Sequence, residues 1–384
     1  MRLGPLLLSC ALAAGCASQP PAVSPEPLFD DSLWSAPASA PSTDRLFELS
    51  TDMRRFLEQS ILPEVRREGP HGALARAVYD PSRLSIDYDA GRTRTAAETF
   101  DARAGNCMSL VIMTAAFAKA MNVEARYRVS VDFDSWGRRA DLLVHTDHVN
   151  ISVGPRFAEK KRGVDRPALT IDFLPAEQVA GLRTREISEA TLVALYLNNR
   201  AVESLLEGRL HDAYAFSREA LRHDATLAGA ANTLGVTYLR AGHLARAESA
   251  FLHALAQHAD HPRALTNLAS VLDRLGRAGE AVAVRERLAR VQPDPPYRDF
   301  ERGRAAASRG DWRAALQLFE REARRAEANP EFHHWLAVAH LQLGDAEAAR
   351  RELALAVQYS QSRDERERYA GKLSRLAEAA SPVR

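Results

Sequence analysis

Two hydrophobic rhythms divide the chain. Up to about residue 185, helical apolar stretches alternate with runs of period two; from about residue 190 only a helical rhythm remains, and it recurs every 34 residues. In the first part, Leu46, Leu49, Met53, Phe56, Leu57 and Ile61 recur at helical spacing, and Pro63 marks the predicted end of that helix. A second helix is predicted over 72–79, and Leu84 to Tyr88 reads as a short strand or extended stretch. Thr95 to Phe100 leads into Arg103-Ala104-Gly105-Asn106-Cys107-Met108-Ser109-Leu110, followed by the apolar run Val111 to Met121. Gly105 and Asn106 read as a turn and helix start. The helix behind them is apolar almost all round, which predicts that it is buried. Three alternating runs follow. Over 125–133, Tyr127, Val129, Val131 and Phe133 share a face. Over 148–153, Val149, Ile151 and Val153 oppose His148, Asn150 and Ser152. Over 169–173, Leu169, Ile171 and Phe173 oppose Asp172. Asp134 to Gly137 reads as a turn between the first two runs.

In the second part, Gly208, Gly242, Gly276, Gly310 and Gly344 stand 34 apart, and so do Ala213, Ala247, Ala281, Ala315 and Ala349. A third register, Ala201, Gly235, Ala269, Gly303 and Ala337, holds only small residues. Small residues let two helices approach closely, and a Gly ends the first helix of each pair. Leu234, Tyr238 and Phe251 fill the gaps in the second unit, whereas Arg200 and Arg302 stand where a large apolar residue is usual. The pattern resembles the tetratricopeptide repeat, a helix-turn-helix unit. It implies five repeats over 190–363, forming a solenoid whose concave surface takes extended peptides or protein partners. Pro293-Asp294-Pro295-Pro296 predicts a bend between the third and fourth repeats. Over 364–384, Tyr369, Leu373 and Leu376 share one face of a charged segment, as in a capping helix and tail.

The amino end changes the picture of where the protein works. Arg2, the apolar run Leu3 to Leu12 and Ala13-Ala14-Gly15-Cys16 form an export signal too short to span a bilayer. Residues 1–16 resemble a bacterial lipoprotein signal. The resemblance implies cleavage before Cys16, lipidation of Cys16 and, with Ala17 next, a periplasm-facing anchor in the outer membrane. Residues 17–43, rich in Pro, Ala and Ser, are predicted to be a disordered tether. The 384 residues suggest two to three domains, and a composition 46% hydrophobic and 26% charged is ordinary for a globular protein. With 51 basic and 50 acidic side chains, nothing global attracts nucleic acid.

The chain has three cysteines. Cys10 leaves with the signal and Cys16 takes the lipid, so Cys107 is a single thiol in an exported protein and a candidate reactive group. At a helix start it stands in the positive end of the helix dipole. Period-two geometry lets His148 and Asp172 share the non-core face of neighbouring strands. Such a His can take the thiol proton, and such an Asp can fix and steady the imidazole. His145, three residues earlier, is the alternative base. His145, Asp147 and His148 could suggest a metal site, but two His in an extended segment without further ligands are weak evidence for one; they read as solvated or structural histidines, and no metal or other cofactor is predicted. Lys160, Lys161, Arg162 and Arg166 read as a solvated loop.

The order Cys, His, Asp comes with Thr-Ala-x-Glu-x-Phe-x-x-Arg-x-Gly-Asn-Cys over 95–107, a His-Val-Asn-Ile strand and an Ile-Asp-Phe strand. Together these resemble the bacterial transglutaminase-like superfamily over about residues 45–180. The resemblance implies a papain-like α+β domain, placed at 44–185, in which Cys107 is the nucleophile, His148 the base and Asp172 the orienting acid. Candidate oxyanion donors are the Cys107 backbone N–H, Asn106 and Trp136. The expected function is that of a lipid-anchored cysteine hydrolase or acyltransferase acting on amide bonds of a peptide or protein, which the repeats recruit. The alternative is a non-catalytic envelope adaptor whose repeats bind protein partners.

Overall fold

Ser50 opens the first helix by accepting a hydrogen bond from the Met53 N–H. A computed structural model of the chain describes residues 24–34, 42–131, 135–139, 142–154, 168–174, 179 and 181–380. Helix α1 (Thr51–Phe56) does not stop at Pro63. It runs through a π turn (Leu57–Ile61) and a 3-10 turn (Leu62–Glu64) into α2 (Val65–Tyr79). Pro63 lies in the first positions of the 3-10 turn, where a missing N–H costs little. The break comes instead at Gly69, with φ 73°, just before Pro70. Leu46 precedes α1, yet it is buried and its carbonyl accepts the Ala96 N–H.

Strand β1 (Asp87–Tyr88) is followed by α3 (Ala96–Ala102), opened by a reciprocal Thr95–Glu98 capping box. Strand β2 (Ala104–Gly105) pairs with β1 in parallel and delivers the chain to α4 (Cys107–Ala120). Every residue of α4 from Cys107 to Ala118 is buried, as its all-round apolar surface demands. The sheet that covers α4 is built from β3 (Ala125–Ser130), β6 (Val149–Val153), β7 (Leu169–Ile171) and β8 (Thr184–Ile187); between β3 and β6 the chain makes a separate hairpin of β4 (Ser135–Arg139) and β5 (Leu142–Thr146). The strand order is β7-β6-β3-β8, antiparallel throughout.

Three expectations change here. The 125–133 strand stops at Ser130, and Val131 is 51% exposed; Phe133 and Asp134 lie outside the described residues. Ser135 to Gly137 are strand, not turn, because Trp136 pairs with His145 across the β4–β5 hairpin. Leu169, on the sheet's edge strand, is 37% exposed rather than core. Strand β8, which the alternation did not announce, pairs with β3 and carries the α+β unit to Ile187.

The second part is a run of helix pairs: α5 (Glu189–Leu206) with α6 (Leu210–His223), α7 (Ala228–Arg240) with α8 (Leu244–Gln257), and α9 (Pro262–Arg274) with α10 (Ala278–Val291). It continues with α11 (Arg298–Ser308) and α12 (Trp312–Arg325), then α13 (Pro330–Gln342) and α14 (Ala346–Gln358), and α15 (Arg363–Ala380) caps it. The glycine between each two partners takes a positive φ, from 74° at Gly208 to 86° at Gly242. The small register has a steric cause: a Cβ on Gly235 would stand 2.4 Å from Phe251, and one on Gly303 2.5 Å from Phe319. Arg200 sits in its register by pairing with Glu203 and covering the Phe216 ring.

One core runs without interruption from Leu28 through α4 and the sheet to Ala281. A second begins at Tyr297, and the break coincides with Pro293 to Pro296. The 17–43 tether is not featureless. Glu26–Leu28 and Asp31–Leu33 are single 3-10 turns, and Leu28 is buried against the repeats. Cys10, Cys16 and the basic residues Lys160, Lys161, Arg162 and Arg166 lie outside the described residues. Among the described residues no helix is long and apolar enough to cross a membrane.

Candidate functional site: a thiol beside a His–Asp pair

The start of α4 is fixed by its neighbours on the chain. Asn106 caps it, its Oδ1 accepting the Ser109 N–H at 2.9 Å and the Ser109 hydroxyl at 2.8 Å. Its Nδ2 donates to Thr93 Oγ1 at 2.8 Å. Gly105 admits this turn because a side chain there would meet Ser109 Cβ at 2.8 Å. Cys107 is the first residue of the helix and is 3% exposed. Its Sγ lies 3.8 Å from the Asp147 carbonyl oxygen, so Cys107 and the residue before His148 are in contact.

His148 enters β6 and is 1% exposed. Its Nε2 is 2.8 Å from Asp172 Oδ2, and the same oxygen accepts from Asn150 Nδ2 at 2.9 Å. Asp172 lies just past β7, and its Oδ1 accepts the Leu174 N–H at 3.0 Å. Tyr79, at the end of α2, brackets the Asp172 backbone: its hydroxyl accepts the Asp172 N–H at 2.6 Å and stands 2.8 Å from the Asp172 carbonyl, to which it donates. Burial opposes charge on His148, but the hydrogen bond and negative charge of Asp172, with the neighbouring Cys107, outweigh it and raise its pKa to about 9. Burial likewise opposes charge on Asp172; the His148, Leu174 and Asn150 hydrogen bonds more than compensate and hold its carboxyl below the usual value. The imidazole is thus tied by Asp172 at Nε2, and the Cys107 Sγ lies against the backbone of the residue just before it.

Cys107, His148 and Asp172 therefore come together, and His148 rather than His145 pairs with Asp172. Asn106 is committed: both ends of its side chain hold the helix start, so it is not free to meet an oxyanion. The Cys107 N–H belongs to the first turn of α4, where backbone donors have no partner within the helix. Among the described residues no group of three His, Cys, Asp or Glu could hold a metal ion. Sequence reasoning missed Asn150 and Tyr79. Asn150 was findable, since it shares the His148 face of β6; Tyr79 was not, because it lies 93 residues from its partner.

A cavity of about 520 Å³ opens between this centre and the repeats. Asn106, Trp136 and Asp147 line it from one side; Asn198, Asn232 and Asn267, on α5, α7 and α9, line it from the other. Asn267 donates to Asn232 at 2.9 Å, whereas the buried Asn198 Oδ1 has no partner among the described residues. Glu203 of α5 reaches across, accepting the Thr93 N–H at 2.6 Å, and the Gln361 carbonyl, just before α15, accepts the Ala90 N–H at 2.8 Å. The loop over 89–94 thus touches both ends of the array.

No curated protein matches the chain. Among solved structures, a thermophilic tetratricopeptide repeat protein of Thermus thermophilus shares 21% identity, covering 47% of this chain and 99% of its own, at a TM-score of 0.30. The pilF protein of Pseudomonas aeruginosa shares 20% identity over 50% of this chain and 96% of its own, at 0.28. YrrB, a repeat protein described with an unusual peptide-binding site, shares 21% over 47% of this chain and 92% of its own, at 0.26. Scores this low carry nothing further. The family model for the tetratricopeptide repeat matches residues 232–296 and 300–365, which begin inside α7 and end inside α15. With the helix pairs and their glycine turns, that match makes the second part of this chain an array of tetratricopeptide repeats, a protein-interaction architecture.

Proposed function

We propose that the chain is an exported, lipid-anchored thiol enzyme of the transglutaminase-like, papain-like kind, acting on an amide bond of a peptide or protein. The observation that supports it is Cys107, first residue of α4, with its Sγ against the Asp147 carbonyl beside His148, whose Nε2 is held by Asp172. In this reading His148 takes the thiol proton as the sulfur adds to the amide carbon, and the Cys107 N–H meets the developing oxyanion. His148 then passes the proton to the leaving amine, and a thioester at Cys107 remains. Water, deprotonated by His148, attacks the thioester and releases the acid and the thiol. Water is the default acceptor, so hydrolysis is favoured over transfer to a second amine. The carboxamides of Asn198, Asn232 and Asn267 offer donors and acceptors to the main chain of an extended segment in the cavity. The repeats thereby form one wall of the substrate site. Lipidation at Cys16 holds the enzyme to the envelope, facing the periplasm.

The rate of Cys107 alkylation by iodoacetamide against pH tests this. The expected result is fast alkylation already below neutral pH, lost in His148→Ala. The variant should follow an ordinary thiol, which ionises near about 8.5. Equal profiles for parent and variant would remove the enzyme reading. One observation favours a second reading, the non-catalytic adaptor: the thiol is enclosed, at 3% exposure. A thiol that resists alkylation at every pH while the repeats still capture protein would establish that reading.

A further inference from the structure

The second helices of the first two repeats carry a surface that the thiol centre and the cavity do not use. Tyr214, Arg218 and Arg222 stand on α6 and Arg246 on α8, while Tyr238 reaches the same place from α7. Residues 26–34 lie on it. We propose that this surface is a peptide-binding site for short acidic and aromatic segments, and that residues 26–34 are its resident, exchangeable ligand.

The contacts are those by which a groove reads a peptide. Two tyrosines read the main chain: Tyr238 Oη donates to the Leu28 carbonyl at 2.8 Å, and Tyr214 Oη accepts the Asp30 N–H at 3.0 Å. Three arginines read the acids: Arg246 pairs with Asp30 and Arg218 with Asp31, each at 2.6 Å, and Arg222 with Glu26 at 3.4 Å. Trp34 stacks on Tyr214, the ring centres 4.8 Å apart and the planes 15° from parallel, and Leu28 is the one anchor of the segment that is fully buried. The pattern read is Leu28, Asp30, Asp31 and Trp34.

The rest of the hold is side-chain contact: Tyr214 Oη also donates to Asp31 Oδ1 at 2.7 Å and Arg246 to the Pro27 carbonyl at 3.2 Å, Arg222 lies over the Phe29 ring, and Phe29, Leu33 and Trp34 are half-buried against the core. The segment's two 3-10 turns are three residues each and do not persist alone. It pairs with no strand among the described residues. Asp31 and Glu26 are more than 60% exposed, and ion pairs that exposed are individually weak. Occupancy then rests on these contacts together with covalent attachment, which keeps the segment at high effective concentration beside its site. A partner segment of the same pattern displaces it, so capture of that partner releases the chain's own N-terminal stretch.

The test uses the full chain with a protease site inserted within residues 36–40, and a fluorescent synthetic peptide of residues 24–34. Uncut chain should take up little peptide. After cleavage the resident loses its covalent advantage, and apparent affinity for the peptide should rise about 100-fold. Binding should weaken with added salt, as screened ion pairs do. Arg246→Glu should lower uptake, and a peptide carrying Asp30→Arg should restore it, which a general loss of folding would not allow. A cut fragment that stays bound through excess peptide and high salt would overturn the proposal, since the segment would then be a fixed part of the fold. So would a cut fragment that leaves a surface unable to bind the peptide, or equal binding of a peptide with Asp30→Asn, Asp31→Asn and Trp34→Ala.

Discussion

At the scale of single residues, the His148–Asp172 pair ties the chemistry of the site to its stability. The His148 pKa rises from 6.5 to about 9 on folding, so its contribution to stability is whole below 6.5 and lost as the pH climbs through about 9. The Asp172 pKa falls below 3.8, so its contribution is whole above 3.8 and lost as the pH drops through the lower folded value. Stability from the pair is therefore complete between those limits. Thermal unfolding from pH 6 to pH 10 should show a steeper alkaline loss of Tm in the parent than in His148→Ala; parallel curves would mean that the folded imidazole is not held in its charged form. Asn106 gives a second expectation. Asn106→Ala removes the cap of α4 and leaves Thr93 Oγ1 without that donor, at a cost of about 1–2 kcal/mol. Urea unfolding measures it, and no change would show that the cap is redundant. The Cys, His and Asp residues were legible because each lies within a local pattern, a helix start or a strand phase. Tyr79 and Glu203, which hold that set and its loop, act over 93 and 110 residues and left no local trace.

At the scale of the elements, the same residue change is expected to act with opposite signs at two glycines. Gly235→Ala on α7 pushes a methyl group into Phe251 on the partner helix, an overpacking that costs about 1–3 kcal/mol of stability. Gly279→Ala on α10 meets nothing within 4 Å and replaces a poor helix residue by the best one, for a gain of about 0.5–1 kcal/mol. Urea midpoints of the two variants should move in opposite directions, and a shift of the same sign in both would show that the 34-residue register does not reflect helix contact. Both positions lie in the repeat array, and the first was legible from its small-residue register alone. The hairpin β4–β5 was not, because what stabilises it lies elsewhere: the Trp136 carbonyl accepts from Asn329, and Arg138 pairs with Glu301. The docked stretch over 26–34 was hidden for the same reason. Its Pro, Ser and acidic residues look solvated until the arginines and tyrosines some 180 to 220 positions away are placed beside them.

For the whole molecule, the continuity of the core decides which parts stand or fall together. The α+β unit runs into the first repeat without a seam: Glu189, at the start of α5, accepts from Tyr127 of β3 and pairs with Lys119 of α4. One core spans that junction and ends at Ala281, and a separate one begins at Tyr297. Residues up to about 291 should therefore unfold as one cooperative body, with α11 to α14 opening separately at lower free energy. The hairpin is the bridge between the two. Trp136 packs against the second core while its strand belongs to the first unit, and Arg138 lies over Tyr297 and Phe300. Trp136→Ala should accordingly lower hydrogen-exchange protection in α11 and α13 by about 1–3 kcal/mol and leave α4 and β6 unchanged. Protection lost equally everywhere would mean a single cooperative unit, and protection lost nowhere would mean that the hairpin merely rests on the array. The distinction bears on function. Trp136 also lines the cavity beside the thiol centre, together with Asn232 of the first body and Gln361 beyond the second core, so the hairpin and both bodies share its wall.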